Sequence, residues 1–397
     1  MLAGKKILLG ITGSISAYKS CEVLRLLIKE KASVRVLLTK GGERFITPFT
    51  FSALSGKRVY TEKDFFNNNG EIPHIELASF PDIVVIAPTS ASFIAKAAAG
   101  FADELLLAVL LATKAPVYFF PAMNENMWLH PATRRNVSIL KELGYVVYEP
   151  AEGELACGSA GKGRLPEPST ILEVIKAHFY PKNLKGKKVL ITGGPTREFI
   201  DDVRFITNAS SGKMAFYLAK EAYYRGAEVF LVWGGGKLPG NFPYLPDTPF
   251  PHIFKVNTTR EMYERCKKLF SSVDIAIFAA APVDIRPRKA FSGKIKKREL
   301  MGFNLDFELT EDIARELLKA KGEKIAIGFA LEEKEKLFEY ASIKQKEKGF
   351  DYLVANPLET MGKETSDFYI YTPSEIIELK NTSKEELARR LFGLISA

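Results

Sequence analysis

Cysteine is scarce in this sequence, and the three present, Cys21, Cys157 and Cys266, are odd in number and far apart. That argues against a disulfide frame and fits free thiols in a reducing, cytoplasmic setting. Four histidines and no Cys-x-x-Cys leave too few ligands at the right spacing for a structural zinc site. Glutamine occurs once, at Gln345, beside abundant lysine and glutamate, a bias that points to a thermophilic source. No apolar run approaches the roughly 18 residues of a membrane span. The longest candidate, Leu105 to Ala112, stops at Thr113 and Lys114. Lys5 and Lys6 before "ILLGITG" have the outline of a signal peptide. The apolar part is short and runs into a Gly-Ser turn, so it reads as a first core strand.

Two nucleotide motifs are missing as well. "GITGSIS" (10–16) has Ser16 where a dinucleotide fingerprint needs its last glycine. The second strand then ends in Thr39 and Lys40, where NAD requires an acidic group for its ribose. "NASSGKM" (208–214) follows Thr207 instead of the first glycine of a P-loop, and Met214 follows its lysine.

What is there is a globular composition, 46% apolar and 26% charged, over 397 residues. That length exceeds one ordinary core and suggests two domains, or three. The net charge of +9 allows nucleic-acid binding and equally suits anionic substrates such as phosphates. The chain also repeats itself. "GKKILLGITGS" (4–14) returns as "GKKVLITGGPT" (186–196), "KASVRVLLTK" (31–40) as "RGAEVFLVWGG" (225–235), and "SFPDIVVIAP" (79–88) as "SSVDIAIFAA" (271–280). The order is the same in both halves. Each half reads as strand, Gly-rich turn, helix and strand, with a third strand entered through Asp-Ile. Alternating strands and helical stretches predict parallel sheets with helices on both faces. The boundary falls near "AHFYPKNLKGKK" (177–188), giving domains 1–183 and 184–397 of related α/β doubly wound architecture.

Several strand ends carry candidate chemistry, each beside a plainer reading. In "VYFFPAMNENMWLHP" (117–131) a buried strand ends in two amides, two thioethers and an indole, at the sheet edge where α/β proteins bind ligands. Gly13 and Ser14 form either a phosphate cradle or a simple tight turn. "IAPTSASFIAKAAAG" (86–100) allows close approach of a flat ring, or is a helix start capped by Thr89 or Ser90. Cys157 lies in a Gly/Ala-rich loop beside Lys162 and Arg164, a setting that polarises a thiol, although an inert cysteine is also open. His74 in "GEIPHIELASF" is either solvated or catalytic. In the second half, Ser210, Ser211 and Gly212 open a helix whose N–H groups suit phosphate or ordinary capping. The cluster Lys294, Lys296, Lys297 and Arg298 is either a solvated face or an anion site.

Taken together, "PAMNENMW", "HIEL", "ACG" and "GSISAYK" resemble four motifs of the flavin-dependent cysteine decarboxylases. With the second half included, the whole chain resembles the bacterial bifunctional phosphopantothenoylcysteine decarboxylase/phosphopantothenate–cysteine ligase family of coenzyme A synthesis. The resemblance implies two Rossmann-like domains, a flavodoxin-like FMN-dependent decarboxylase and a CTP-binding ligase. It implies that FMN oxidises the substrate's cysteinyl thiol, so that the resulting thioaldehyde can shed CO₂. Asn124 would bind the substrate carboxylate, His74 would act as base in thiol oxidation, and Cys157 would protonate the product. FMN would touch Gly13, Ser14, Ile15, Thr39, Ser90, Ala91, Ser92, Phe93 and Ala122. The family commonly builds this site between subunits of a trimer, often within a dodecamer.

For the ligase half, the resemblance implies that Lys294 binds the CTP triphosphate and that Asn208 acts in turnover of the acyl-cytidylate. Phe278, Ala279, Ala280, Asp284, Phe329, Lys344 and Lys348 would contact the nucleotide, as would Glu311, Asp312, Ile313 and Ala314. Mg²⁺ would accompany the triphosphate, with its protein ligands unassigned. The chain departs from its relatives at Val283–Ile285, where Ala-Asp-Tyr or Ala-Asp-Phe is usual, and at Leu309–Ile313, which replaces Lys-Asn-Pro-Asp-Ile. The substrates implied are 4′-phosphopantothenate, L-cysteine and CTP, with no nucleic acid and no membrane. Two alternatives remain: a flavin decarboxylase of peptidyl cysteine, which the attached ligase half opposes, and a basic nucleic-acid-binding protein. The latter predicts basic residues interleaved with exposed aromatics on one face, whereas Lys and Arg here are spread over both halves.

Overall fold

The computed structural model describes residues 1–66, 72–154, 158, 160–246, 248–296, 304–360 and 362–395. The chain divides into two compact units, Met1–Phe179 and Tyr180–Ala397.

The first unit holds strands β1 (Lys6–Ile11), β2 (Ser33–Leu38), β3 (Val59–Tyr60), β4 (Ile83–Thr89), β5 (Val117–Pro121) and β6 (Val146–Val147) in one sheet, followed by the hairpin β7 (Ala151–Glu154) and β8 (Ala160–Arg164). Its helices are α1 (Lys19–Lys29), α2 (Lys40–Glu43), α3 (Pro48–Ser55), α4 (Pro73–Ser79), α5 (Ala91–Ala98), α6 (Leu105–Ala112), α7 (Glu125–Leu129), α8 (Pro131–Glu142) and α9 (Pro168–His178). The sheet is parallel, in the order β3-β2-β1-β4-β5-β6. This is the doubly wound, Rossmann-like arrangement. The reason lies in the strand sequences. β1 and β4 are apolar on both faces, as a sheet covered on both sides requires. One set of side chains, including Leu8, Leu37, Val84, Ile86 and Phe119, shares a core with α4, α5, α6 and α8. On the other side, α1 packs against α3 and α9. The apolar run Leu105–Ala112 is thus a helix buried from Leu105 to Leu110; Leu106 fills the space that a side chain at Gly10 would need.

The second unit repeats the plan. Its strands are β9 (Lys188–Gly193), β10 (Arg197–Phe199), β11 (Phe205–Thr207), β12 (Glu228–Gly234), β13 (His252–Val256), β14 (Ile275–Phe278), β15 (Ile285–Pro287), β16 (Phe307–Leu309), β17 (Ile325–Glu332), β18 (Tyr352–Pro357), β19 (Thr365–Tyr371) and β20 (Ile376–Ser383). Its helices are α10 (Lys213–Tyr224), α11 (Thr259–Phe270), α12 (Ile313–Leu318), α13 (Leu337–Lys348) and α14 (Lys384–Ile395). The main sheet runs β13-β12-β9-β14-β17-β18-β19-β20, parallel as far as β18 and antiparallel beyond it. β10–β11 and β15–β16 are separate two-stranded arms. The three repeated segments occupy equivalent places: β2-β1-β4 in the first sheet and β12-β9-β14 in the second.

Candidate active sites

In a doubly wound sheet the ligand crevice opens where strand order reverses, outside the carboxyl ends of the central strands. In the first unit that point lies between β1 and β4. Thr12 ties the two strand ends together. Its N–H and hydroxyl both donate to the Pro88 carbonyl, at 3.2 and 3.0 Å, and the hydroxyl accepts from the Ser90 N–H at 2.8 Å. Gly13 follows, so close to Gly41 that a Cβ would stand 3.2 Å from its backbone. Ser14 caps a short 3-10 helix, Ile15–Tyr18. Ser90 caps α5 by accepting from the Phe93 N–H, with Ala91 and Ser92 on its first turn and Phe93 in the core. Thr39 is buried. Its hydroxyl donates to Ile11 O and accepts from the Gly42 N–H, so it holds α2 against β1.

At the end of β5, Ala122 donates to Thr89 O at 3.0 Å. A cavity of about 520 Å³ opens here, lined by Ser14, Ile15, Ala122, Met123 and Asn124 from among the expected segments. Tyr18, Lys19, Glu154 and Arg164, which the motifs left unassigned, line it too. Asn124 is the N-cap of α7; its Oδ1 accepts from the Asn126 N–H at 2.9 Å, which fixes the direction of the amide. Trp128 is buried in the core under the Arg134 guanidinium, 5.1 Å from the ring centre, while Met127 faces outward. The mixture at this strand end therefore divides: indole as anchor, amide and Met123 as cavity wall.

The hairpin β7–β8 closes one side of the cavity. Met123 N–H donates to Gly163 O at 3.0 Å, and Lys162 N–H donates to a Glu125 carboxylate oxygen at 2.9 Å. A Cβ at Gly163 would lie 2.2 Å from Met123 O, and one at Gly161 would lie 2.4 Å from the Glu125 carboxylate. At Gly163, against backbone, only glycine permits this approach, whereas at Gly161 the Glu125 carboxylate would have to swing aside. The sequence predicts a Gly/Ala-rich loop here, because glycines in a strand read as breakers; the structure forms a hairpin instead. Cys157 lies between the two strands and outside the described residues. Burial pushes the Glu149 carboxyl up, but its hydrogen bond from Lys162 outweighs this and holds it below the ordinary value. Arg164 and Lys19 share Glu167, at 2.9 and 3.0 Å. His74 stands at the start of α4, edge-on to Phe65 at 5.9 Å, and is not among the residues lining the cavity.

In the second unit the order reverses between β9 and β14. Three threonines hold the loop after β14. Thr196 Oγ1 accepts from the Val283 N–H at 2.9 Å and pairs with Thr259 Oγ1 at 2.8 Å, while Thr310 Oγ1 donates to Val283 O at 2.6 Å. Asn208 reaches the same loop; its amide donates to Pro282 O at 2.8 Å and Ala281 O at 3.3 Å. Asp284, Asp312, Lys344 and Lys348 are brought together. Lys348 binds Asp312 at 2.8 Å. Burial alone would raise Asp312, yet Lys348 and the Arg315 N–H hold it below the usual carboxylate range. Burial pushes the Lys344 ammonium down and the Lys348 charge adds to this, against the pull of Glu332, Asp312 and Asp284. Ala280 N–H donates to Thr192 Oγ1, and Ala279 and Ala280 are half-buried on the loop. Phe329 is half-buried on β17. Phe278 is a core residue against Phe350, and Ile313 and Ala314 are core residues of α12. Glu311 is held by both oxygens to Arg286 at 3.1 Å. Lys294 is exposed, on the segment after β15, while Lys297 and Arg298 lie outside the described residues.

The N-cap of α10 is neither serine of "NASSGKM" but Gly212, at φ +68°. A Cβ there would stand 2.2 Å from the Trp233 ring, so the site demands glycine for space as well as for φ.

Comparison with known proteins matches residues 1–180 to the Flavoprotein family model and residues 184–397 to that of the DNA/pantothenate metabolism flavoprotein C-terminal domain. The chain is 40% identical to the coenzyme A biosynthesis bifunctional protein CoaBC of Bacillus subtilis (strain 168), over 98% of this chain and 93% of that one. It is 39% identical to the CoaBC of Vibrio cholerae, over 99% and 98%. Among solved structures, the C-terminal domain of a CoaBC protein is 35% identical over 54% of this chain and 96% of that one, with a TM-score of 0.45. The FMN binding protein AtHal3 is 34% identical over 44% and 96%, with a TM-score of 0.40.

Proposed function

The chain belongs to the CoaBC family of coenzyme A biosynthesis bifunctional proteins, and on that premise we propose how its two units divide the work. It is a bifunctional enzyme, a phosphopantothenate–cysteine ligase and a phosphopantothenoylcysteine decarboxylase. Residues 184–397 join 4′-phosphopantothenate to L-cysteine, using CTP to activate the carboxylate as an acyl-cytidylate. Residues 1–183 decarboxylate the product to 4′-phosphopantetheine.

The observation that carries the decarboxylase reading is the meeting of Asn124 with Ser14, Ile15 and Ala122 in one cavity at the β1–β4 reversal. The residues at this reversal fit a flavin: Gly13 carries no side chain, Ser90, Ala91 and Ser92 open α5 with small ones, and Ile15, Tyr18, Met123 and Leu165 give the cavity an apolar wall. When bound there, FMN would supply two-electron redox chemistry, accepting electrons from the cysteinyl thiol and returning them after CO₂ has left. Asn124 orients the substrate carboxylate with an amide, which binds it without the ion pairing that would favour retention of its charge. His74, which does not line the cavity of its own chain, would reach the thiol proton from a neighbouring subunit of the trimer, and Cys157 would return a proton to the product. Gly13, Thr39, Ser90, Ala91, Ser92 and Phe93 shape the flavin's bed.

In the ligase half, Lys294 neutralises charge developing on the triphosphate. Lys344 and Lys348 add positive charge beside Asp284 and Asp312. Asn208 steadies the acyl group during cysteine attack. Mg²⁺ travels with the triphosphate. Among the described residues no three carboxylate, His or Cys groups gather to hold a metal ion, and Mg²⁺ needs only one or two protein ligands beside phosphate.

The protein works in the cytoplasm as a trimer-based homo-oligomer. Exposed Phe49 and Phe66 on the first unit supply apolar surface for self-association. Among the described residues no helix is long and apolar enough to cross a membrane. Releasing the bound chromophore by denaturation and chromatographing it against FMN and FAD tests the cofactor. Comparing CTP with ATP in ligation tests the nucleotide. A colourless protein sinks the first assignment, and equal use of ATP sinks the second.

A further inference from the structure

Lys294 is assigned to the triphosphate, but an exposed lysine on a long connection neutralises charge well only if its backbone is held. The residues on either side of it are held. Ile295 N–H donates to Asp201 Oδ2 at 3.2 Å, and Gly293 N–H donates to Asp202 Oδ2 at 2.8 Å. Asp201 is 1% exposed. Its other oxygen accepts from the N–H groups of Val203 and Arg204, at 2.8 and 2.7 Å, which forms the turn between β10 and β11. Arg204 completes the clamp. It donates to Asp201 Oδ2 at 3.1 Å and to Ile295 O at 3.1 Å. One strand further, the same arm ends at Asn208, which is tied to Ala281 and Pro282.

The arm thus carries one ligase residue at its end and fixes the backbone of the other from its turn. Both carboxylates of this clamp are engaged by backbone N–H groups of the residues flanking Lys294, so their hydrogen bonds serve position. We propose that Asp201 and Asp202 are positioning residues for ligation. They set Lys294 relative to Asn208 so that its ammonium meets the triphosphate during acyl-cytidylate formation. The inference rests on the role given to Lys294 above.

Asp201→Asn suits the test. The retained Oδ1 can still accept from Val203 and Arg204, so the turn survives. The new amide N–H₂ faces the donors of Ile295 and Arg204, so the tie to the Lys294 segment breaks. Misplacement of a charge by about 1 Å can cost on the order of a hundredfold. Single-turnover acyl-cytidylate formation by the full chain should therefore fall by roughly ten- to a hundredfold, with decarboxylation of supplied phosphopantothenoylcysteine unchanged. Asp202→Asn should give a smaller loss of the same step.

The deciding readout is a double-mutant cycle, which a general structural defect would not satisfy. In a Lys294→Gln background, neither Asp substitution should slow the step further. Equal losses in both backgrounds overturn the positioning role while leaving Lys294 in place. No effect of Lys294→Gln alone would remove the role of Lys294, and the inference with it. If Asp201→Asn does not fold, Asp202→Asn decides: a loss that vanishes with Lys294→Gln supports the proposal, and any other result overturns it.

Discussion

Gly163 and Met123 meet backbone to backbone: the Met123 N–H donates to Gly163 O at 3.0 Å, and a Cβ on Gly163 would stand 2.2 Å from Met123 O. This contact seats the β7–β8 hairpin against the strand end that carries Asn124. Gly163→Ala must push the two apart. Decarboxylation should fall at least tenfold, since catalytic geometry lost by about 1 Å costs up to a hundredfold, while ligation stays at the wild-type rate. Assaying both half-reactions on one preparation checks it; undiminished CO₂ release would show that the hairpin need not be seated.

Asn124 also caps α7 through its Oδ1, a role that aspartate fills equally well. Asn124→Asp should therefore leave folding intact while setting a negative charge against the substrate carboxylate, which is unfavourable in a partly dry cavity. Decarboxylation should collapse with the flavin still bound and ligation unimpaired. Joint loss of both activities would point to misfolding, and retained decarboxylation would remove Asn124 from carboxylate binding.

Much of this was legible in the chain. The three repeated segments are the central strands of both sheets because buried parallel strands demand continuous apolar runs, which survive in any context. The motif residues Ser14, Ile15, Ala122 and Asn124 line one cavity because strand ends at a reversal point converge. The rest needed three dimensions. Gly161 and Gly163 read as loop residues, since nothing in "AGKGR" announces that Glu125 and Met123 fill the space beside them. Thr196, Thr259 and Thr310 stand on three separate segments, and only folding brings their hydroxyls to Val283. Arg286 and Glu311 likewise pair across a two-stranded arm that sequence periodicity does not reveal.

Lys344 gives a pH test. Burial and the Lys348 charge both favour its neutral form, so it loses its proton below the ordinary lysine value. Its help to an anionic nucleotide is complete at low pH and is lost as pH rises through that lowered value. The alkaline limb of kcat/KM for CTP, which reports the free enzyme, should therefore fall earlier than an unperturbed lysine would dictate. Lys344→Arg, charged throughout, should move that limb upward. An unmoved limb would show that Lys344 does not govern nucleotide binding.

The most direct measurement follows every product of the full chain supplied with 4′-phosphopantothenate, L-cysteine, CTP and Mg²⁺. The account predicts CMP, pyrophosphate, CO₂ and 4′-phosphopantetheine in equal amounts, and none of them without CTP. Phosphopantothenoylcysteine supplied directly should release CO₂ with CTP absent. Amide formed without CO₂, or CO₂ formed from the three substrates without CTP consumption, would contradict the assignment of both steps to this one chain.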